Sequence, residues 1–312
     1  MKLLIIGDLH GRKPKIHFNS FDAIVCVGDF GSDKKLGIMY RKWFRYLKKN
    51  PDNTVNSDTY FIKLVGKRKF DKLYKDSLKD GRKILQFLNS FNKPVFIVPG
   101  NWDQSYGKTR IKDIDKDSYS YTKSFLDFYL GVKINSELTK GLKNVKSCQF
   151  KLHKYKGVNF IGYGLSSNAE EPFRKSKKRD FTKTQANKLR KTYNNIIKKL
   201  DKAYKKRDKK FPTIFITHNV PYGTNLDICL DKKSYAYKKH LGSTVARQFV
   251  SKHQPLLCAG GHIHEYFRKT KIRRTTVINA GFGSDSNIFI DIKKGKINKI
   301  QFYRRYKKFR HK

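Results

Sequence analysis

Acidic residues are scarce in this chain. Over 312 residues, 25 Asp and Glu stand against 71 Lys and Arg, a formal net charge of +46. A surplus of that sign favours anionic partners: nucleic acid, nucleotides, polyphosphate or an acidic surface. The lysines are spread along the whole chain, so general lysine richness accounts for the surplus equally well, and both readings stay open. Cysteine is sparse too. Cys26, Cys148, Cys229 and Cys258 lie far apart and form no C-x-x-C, which points away from a disulfide frame or a thiolate metal site and toward a reducing compartment. Long apolar runs are missing as well. No stretch approaches the ~18 residues a membrane span requires, and Met1 to Gly7 is too short for a secretion signal. The expectation is a soluble, cytoplasmic protein with no membrane partner and no evident obligate protein partner. No recognition module such as an RRM or a zinc finger is visible.

Apolar residues make up 38% and charged residues 31% of the chain, which is polar but not disordered by composition. Short apolar runs recur, and they end alike. Leu3 to Ile6 runs into Gly7-Asp8-Leu9-His10-Gly11, and Ala23 to Val27 into Gly28-Asp29-Phe30-Gly31. Pro94 to Val98 runs into Pro99-Gly100-Asn101-Trp102-Asp103, and Thr213 to Thr217 into His218-Asn219-Val220-Pro221. Leu256 to Cys258 leads into Ala259-Gly260-Gly261-His262-Ile263-His264-Glu265. Continuous apolar runs are expected of strands covered on both faces.

Helical spacing fills the intervals. Residues 34–50 carry a core stripe of Leu36, Met39, Tyr40, Trp43, Phe44 and Leu47, and residues 51–92 read as a polar loop with one or two helices. Residues 104–118 read as a polar loop and 119–131 as a short aromatic helix. Strands are expected near 145–152 and 158–163. From Phe181 to about Lys206 an amphipathic helix places Leu189, Tyr193, Ile196, Leu200 and Tyr204 on one face and lysine on the other. A helix over 243–253 and closing strands Thr276–Asn279, Asn287–Ile292 and Ile297–Tyr303 complete the chain. With no fixed-period repeat and no dividing linker, one layered α/β domain is the economical reading.

Five strands thus finish in residues able to bind metal: Asp8 and His10, Asp29, Asn101, His218, and His262 with His264. Imidazole is the commonest metal ligand. In open α/β sheets, ligands sit outside the carboxyl ends of the strands, where residues remote in sequence meet.

The ordered set Asp8-Leu9-His10, Gly28-Asp29, Gly100-Asn101, Thr217-His218 and Gly261-His262-Ile263-His264 resembles the calcineurin-like metallophosphoesterase superfamily, from residue 3 to about 292. Within it, Thr217 to Thr224, Gly242-Ser243 and Gly261 to Glu265 look like a predicted phosphoesterase branch related to cyclic-nucleotide phosphodiesterases. The resemblance implies a four-layer α-β-β-α sandwich over residues 1–303. Residues 51–92 and 104–131 would be family-variable segments and 304–312 a basic tail. It also implies two divalent ions, Mn first, with Fe, Zn, Ni or Co as alternatives. Asp8, His10 and His264 would hold one ion and Asn101, His218 and His262 the other, with Asp29 bridging. Mixed nitrogen and oxygen ligation suits these metals better than calcium. The catalytic set would be Asp8, Asp29, Asn101 and His262, acting through a metal-bridging hydroxide on an anionic phosphoester.

One departure stands out. The family's usual third motif is G-N-H-[DE], and this chain has Trp102 in place of that histidine. Indole N–H donates one hydrogen bond but shuttles no proton at neutral pH. Slow hydrolysis, leaving groups that depart unaided, or a substitute acid follow. Trp102 itself would be a packed wall residue or a stacking surface for a nucleobase. The expected function is a phosphodiesterase on small phosphodiesters or nucleotides. The alternatives are a nuclease, served by clusters such as Lys67-Arg68-Lys69, 174–179 and Lys205-Lys206-Arg207, and a non-catalytic binding scaffold.

Overall fold

The computed structural model describes residues 1–50, 55, 57–103, 136–164, 168–173, 182–232 and 236–304. In chain order these form β1 (Lys2–Ile6), β2 (Ala23–Cys26), α1 (Leu36–Lys49), α2 (Ser57–Val65), α3 (Lys67–Asn89) and β3 (Val95–Ile97). A single turn, α4 (Ser136–Thr139), precedes β4 (Val145–Ser147), β5 (His153–Tyr155), β6 (Val158–Tyr163) and a 3-10 turn over Asn168–Phe173. Then come α5 (Lys183–Lys205), β7 (Thr213–Asn219), α6 (Thr244–His253) and β8 (Leu257–Gly261). The chain closes through β9 (Arg268–Ile272), β10 (Thr275–Asn279), β11 (Ser286–Lys293) and β12 (Lys296–Arg304).

The strands build two six-stranded mixed sheets, β12-β11-β1-β2-β3-β4 and β5-β6-β7-β8-β10-β9. β1 to β4 are parallel neighbours, as are β6, β7, β8 and β10, and the antiparallel strands lie at the flanks. Alternation along each strand decides what packs where. Leu3 and Ile5 of β1 and Val25 of β2 face Phe160, Ile214, Ile216 and Ala259 of the other sheet, with Phe96 stacked on Phe160 at 3.9 Å. Leu4, Ile6, Ile24 and Cys26 face outward onto Leu78, Ile84, Leu85 and Leu88 of α3. On the far side, Phe215, Cys258 and Val277 pack under α5 and α6 through Tyr193, Ile196, Leu200 and Phe249. The central strands β1, β2, β3, β6, β7 and β8 are covered on both faces, which is why they read as unbroken apolar runs. Each fully buried Leu, Ile or Phe contributes about 1.5–3 kcal/mol. The result is a single α-β-β-α sandwich.

Local signals set the helix starts. Thr182 accepts from Gln185 N–H while the Gln185 side chain accepts from Thr182 N–H, a capping box that opens α5. Ser243 accepts from Ala246 N–H at the start of α6. No helix among the described residues is long and apolar enough to cross a membrane.

Three expectations change. Of the strand expected near 145–152 only β4 (Val145–Ser147) forms, and β5 (His153–Tyr155) follows it in the other sheet, because the chain crosses between the sheets at Cys148–Phe150, where Gln149 bridges to Gly162. β9 was not expected at all; its sequence RKTKI is an exposed strand at the sheet's edge among the described residues, paired with β10. Phe44, placed on the core stripe of α1, is exposed, since only Leu36 and Met39 of that helix are fully buried. The expected loop at 104–118, helix at 119–131 and basic cluster at 174–179 lie outside the described residues, as does the tail beyond Arg304.

Candidate metal centre

The carboxyl ends of β1, β2 and β3 in one sheet meet those of β7 and β8 in the other. All seven residues singled out from the sequence converge there. Asp8, His10, Asp29 and His264 form one group able to hold a metal ion, and Asp29, His218 and His262 form a second. Asp29 belongs to both. Its Oδ2 lies 3.3 Å from His10 Nε2 and 3.4 Å from His218 Nε2. Asn101 joins the second group, its Oδ1 lying 2.8 Å from His218 Nε2 and 3.1 Å from His262 Nδ1. His264 Nε2 lies 3.3 Å from Asp8 Oδ2.

Backbone geometry at these strand ends is unusual. His10, Asp29 and His262 all adopt positive φ, at 45°, 54° and 69°. Non-glycine residues seldom do so, and such strain concentrates at functional sites. Glycines make the close approaches possible: a Cβ on Gly261 would sit 2.5 Å from Asp8 Oδ1, and a Cβ on Gly28 would sit 2.6 Å from Gly100 N. The β1 and β2 loops are zipped together by His10 N–H to Asp29 O at 2.8 Å and Gly11 N–H to Phe30 O at 3.0 Å.

The donor set fits metal ions on three observations. Imidazole nitrogens converge, His10 Nε2 on His264 Nε2 at 3.3 Å and His262 Nδ1 on His218 Nε2 at 3.2 Å. Asp8 Oδ1 is buried with no hydrogen-bond donor. Burial, with neighbouring histidines and Arg12, holds His10 well below the ordinary imidazole value, and burial lowers His218 despite the opposing pull of Asp8. Both shifts favour the neutral, ligand-type imidazole. Burial, reinforced by Asp8 and Asp103, pushes Asp29 up, the position of a carboxylate that lacks a compensating cation.

Supporting contacts differ between the two groups. His218 Nδ1–H donates to Val27 O at 3.0 Å, which leaves Nε2 bare toward Asn101 and Asp29. Trp102 N–H donates to Asp29 Oδ1 at 2.8 Å, so Oδ2 is the oxygen left to both groups. The Trp102 indole lies edge-on to His10 at 5.4 Å and against Tyr40 at 5.3 Å, packed as a wall onto the α1–α2–α3 cluster.

Sequence reasoning assigned no role to several residues that build this edge. Asp103 is fully buried and accepts from the amides of Asp29, Phe30, Gly31 and Gly100. Its signal was present: it ends the same string as Asn101. Asp227 accepts from Gly223, Thr224 and Gly242 amides and from His240 Nδ1 at 2.7 Å, folding the loop after His218. Asn279 holds the His262–His264 turn by donating to Ile263 O at 2.9 Å.

A two-sheet sandwich with clustered Asp and His at one sheet edge defines a class of metal-ligating α/β proteins. Within that class, a model of the calcineurin-like phosphoesterase family matches residues 1–266, and the chain belongs to this family of hydrolases. No curated protein matches it in sequence. One solved crystal structure superposes with a TM-score of 0.53 at 16% identity, covering 96% of this chain and 98% of that one, a likeness of fold. TT1561 of Thermus thermophilus aligns at TM-score 0.42 and 12% identity over 97% of this chain and 98% of that one. The sulfate thiohydrolase SoxB from Thermus thermophilus, in complex with glycerol, aligns at TM-score 0.37 and 13% identity over 96% of this chain and 55% of that one.

Proposed function

We propose that the chain is a phosphodiesterase dependent on two divalent ions, Mn²⁺ first among them. The observation that carries this reading is Asp29 Oδ2, placed between His10 Nε2 and His218 Nε2 at 3.3 and 3.4 Å. Asp8, His10 and His264 would hold one ion, Asn101, His218 and His262 the other, and Asp29 would bridge them. When bound, such a pair supplies positive charge for the phosphoryl oxygens and acidifies a water.

The chain's own residues then decide the substrate. Trp102 lines the site without a transferable proton, so leaving oxygens of low basicity depart best. Arg12, packed beside His10, commits its guanidinium to Asp33 at 3.0 Å and His10 O at 3.0 Å rather than presenting it to a substrate. A singly charged diester needs less cationic help than a doubly charged monoester, which favours the diester.

With Mn²⁺, the purified protein should turn over a bis-aryl phosphodiester faster than an aryl monoester, and Asp29→Ala should abolish both. A folded chain inactive with Mn, Fe, Zn, Ni and Co sinks the reading and favours a binding scaffold.

A second reading, a nuclease, is favoured by one cavity of about 710 Å³ at the start of α3. Lys35, Lys67, Arg68, Lys69 and Lys72 line it with Asp76 as the acid among them, and Lys35 follows the loop that carries Asp29. Degradation of DNA faster than of small diesters would promote it.

A further inference from the structure

We infer that Phe282 positions His264, and that Arg12 keeps Phe282 in place. One half of the metal centre is then oriented by ring packing where the other half is oriented by a hydrogen bond. The inference rests on the two-ion reading above and adds to it residues outside the ligand set.

The contrast begins with the imidazoles. A metal-ligating histidine ordinarily donates its second ring N–H to a carboxylate, carbonyl or water, which fixes its rotation. His218 does so, through Val27 O at 3.0 Å. His10 Nδ1 is buried with no hydrogen-bond partner, and burial itself restrains that ring. His264 has neither restraint. Its side chain is 39% exposed, and among the described residues none accepts a hydrogen bond from its Nδ1.

What His264 has is a flat neighbour. Its ring stacks on Phe282 with centroids 4.4 Å apart and planes 23° apart, and it meets His10 edge-on at 5.0 Å. Stacking of this kind is favourable beyond the burial it brings. It thereby selects among the rotamers of a half-exposed side chain.

Phe282 is itself well placed for the task. Its peptide flanks are pinned to Asp8: Asp8 N–H donates to Gly281 O at 3.0 Å and Gly283 N–H donates to Asp8 O at 2.9 Å. The guanidinium carbon of Arg12 lies 4.9 Å from the Phe282 ring centre. Arg12 is anchored in turn by Asp33 Oδ1 at 3.0 Å, Asp33 Oδ2 at 3.4 Å and His10 O at 3.0 Å. Asp33, Arg12, Phe282 and His264 therefore touch in series, and the last of them is the most loosely held imidazole of the first group.

The test is titration of the metal-free full chain with Mn²⁺ by calorimetry, beside metal-free thermal melting. Wild type should take up two ions. Phe282→Leu should weaken one site about tenfold, the low end for outer-shell partners, and leave the other unchanged. Phe282→Tyr, which keeps the ring, should bind as wild type, and Arg12→Gln should weaken the same site by a smaller factor. If Phe282→Leu melts as wild type and binds both ions as wild type, the positioning role is overturned while the two-ion reading stands. Should Phe282→Leu not fold, an Arg12→Gln chain that folds and shows no change at either site overturns it instead. A wild-type chain that takes up fewer than two ions removes the two-ion reading and this inference together.

Discussion

The amide of Asp29 donates to Asp103 Oδ2 at 2.8 Å, and the same oxygen accepts from Gly100 N–H at 2.7 Å. Asp103 thereby ties the loop that presents Asp29 to the loop that presents Asn101. Its other oxygen takes Phe30 and Gly31 N–H at 2.7 and 3.0 Å. Removing this carboxylate orphans four buried amides, each costing about 1–3 kcal/mol when unmade. Asp103→Ala is expected to lose about 3 kcal/mol or more, read by urea unfolding of the metal-free chain. A loss under about 1 kcal/mol would contradict the clamp.

The same residue carries a pH signature. Burial outweighs the four amide bonds and pushes Asp103 up from 3.8 to about 7. A carboxyl raised in the folded state contributes stability that is full below its unfolded value and lost as pH climbs through the folded one. In the metal-free chain the window is therefore about pH 4 to 7. Asp103→Asn mimics the protonated form and does not titrate. The melting temperature of wild type minus that of Asp103→Asn should fall as pH rises across this window. A difference that is flat or rising would refute it.

Much of this edge was legible because each apolar run ends in a ligand-type residue. Asp8, Asp29, Asn101 and His262 come after a run and a glycine and His218 directly after Thr217, and burial on both sheet faces is what makes such runs continuous. The same logic hid what lacked the run. β9 is RKTKI on a solvent-facing edge, where charge guards against pairing with another chain and erases the apolar signal. The crossing at Cys148–Phe150 was invisible because which sheet a short strand joins is settled by tertiary pairing. Asp103 and Asp227 act on backbone amides, and no side-chain pattern announces which amides they will meet. Phe282 looks in sequence like any core aromatic, and only its place beside His264 gives it a role.

Gly261 admits the Asp8 carboxylate to the centre. A Cβ there would lie 2.5 Å from Asp8 Oδ1 and 2.8 Å from Val27 Cγ2. Overpacking of this kind costs about 1–3 kcal/mol, and the carboxylate is the more movable neighbour. Gly261→Ala is expected to fold but to lose most of the rise in melting temperature that Mn²⁺ gives wild type. A full Mn²⁺ response in the variant would show that Asp8 needs no such room.

The cationic cavity at the start of α3 makes a separate prediction. If Lys67, Arg68 and Lys69 track a phosphate backbone, changing all three to Glu should weaken binding of single-stranded DNA. The change should also flatten the dependence of affinity on salt concentration, since each phosphate that is no longer neutralised lowers the slope by about 0.7. A charge-matched control, Lys293, Lys294 and Lys296 to Glu on the β11–β12 turn, separates a local groove from general lysine richness. Equal losses in both variants would assign the binding to overall charge.

Trp102 offers the sharpest test of the chemistry. Its amide anchors Asp29 whatever side chain it carries, while its indole rests on His10 and Tyr40. Trp102→His puts a titratable ring beside the cluster at the cost of packing, so melting should drop by several degrees. A positioned proton donor contributes typically ~10²–10⁴-fold, and the benefit grows with the basicity of the leaving oxygen. Across aryl and alkyl diesters, kcat in wild type should fall steeply as leaving-group pKa rises. The variant should show a shallower fall, with alkyl diesters gaining at least about tenfold and aryl diesters little. Parallel slopes would mean that no leaving group waits for a proton at this position, and the case for Trp102 as the residue that selects the substrate would go with them.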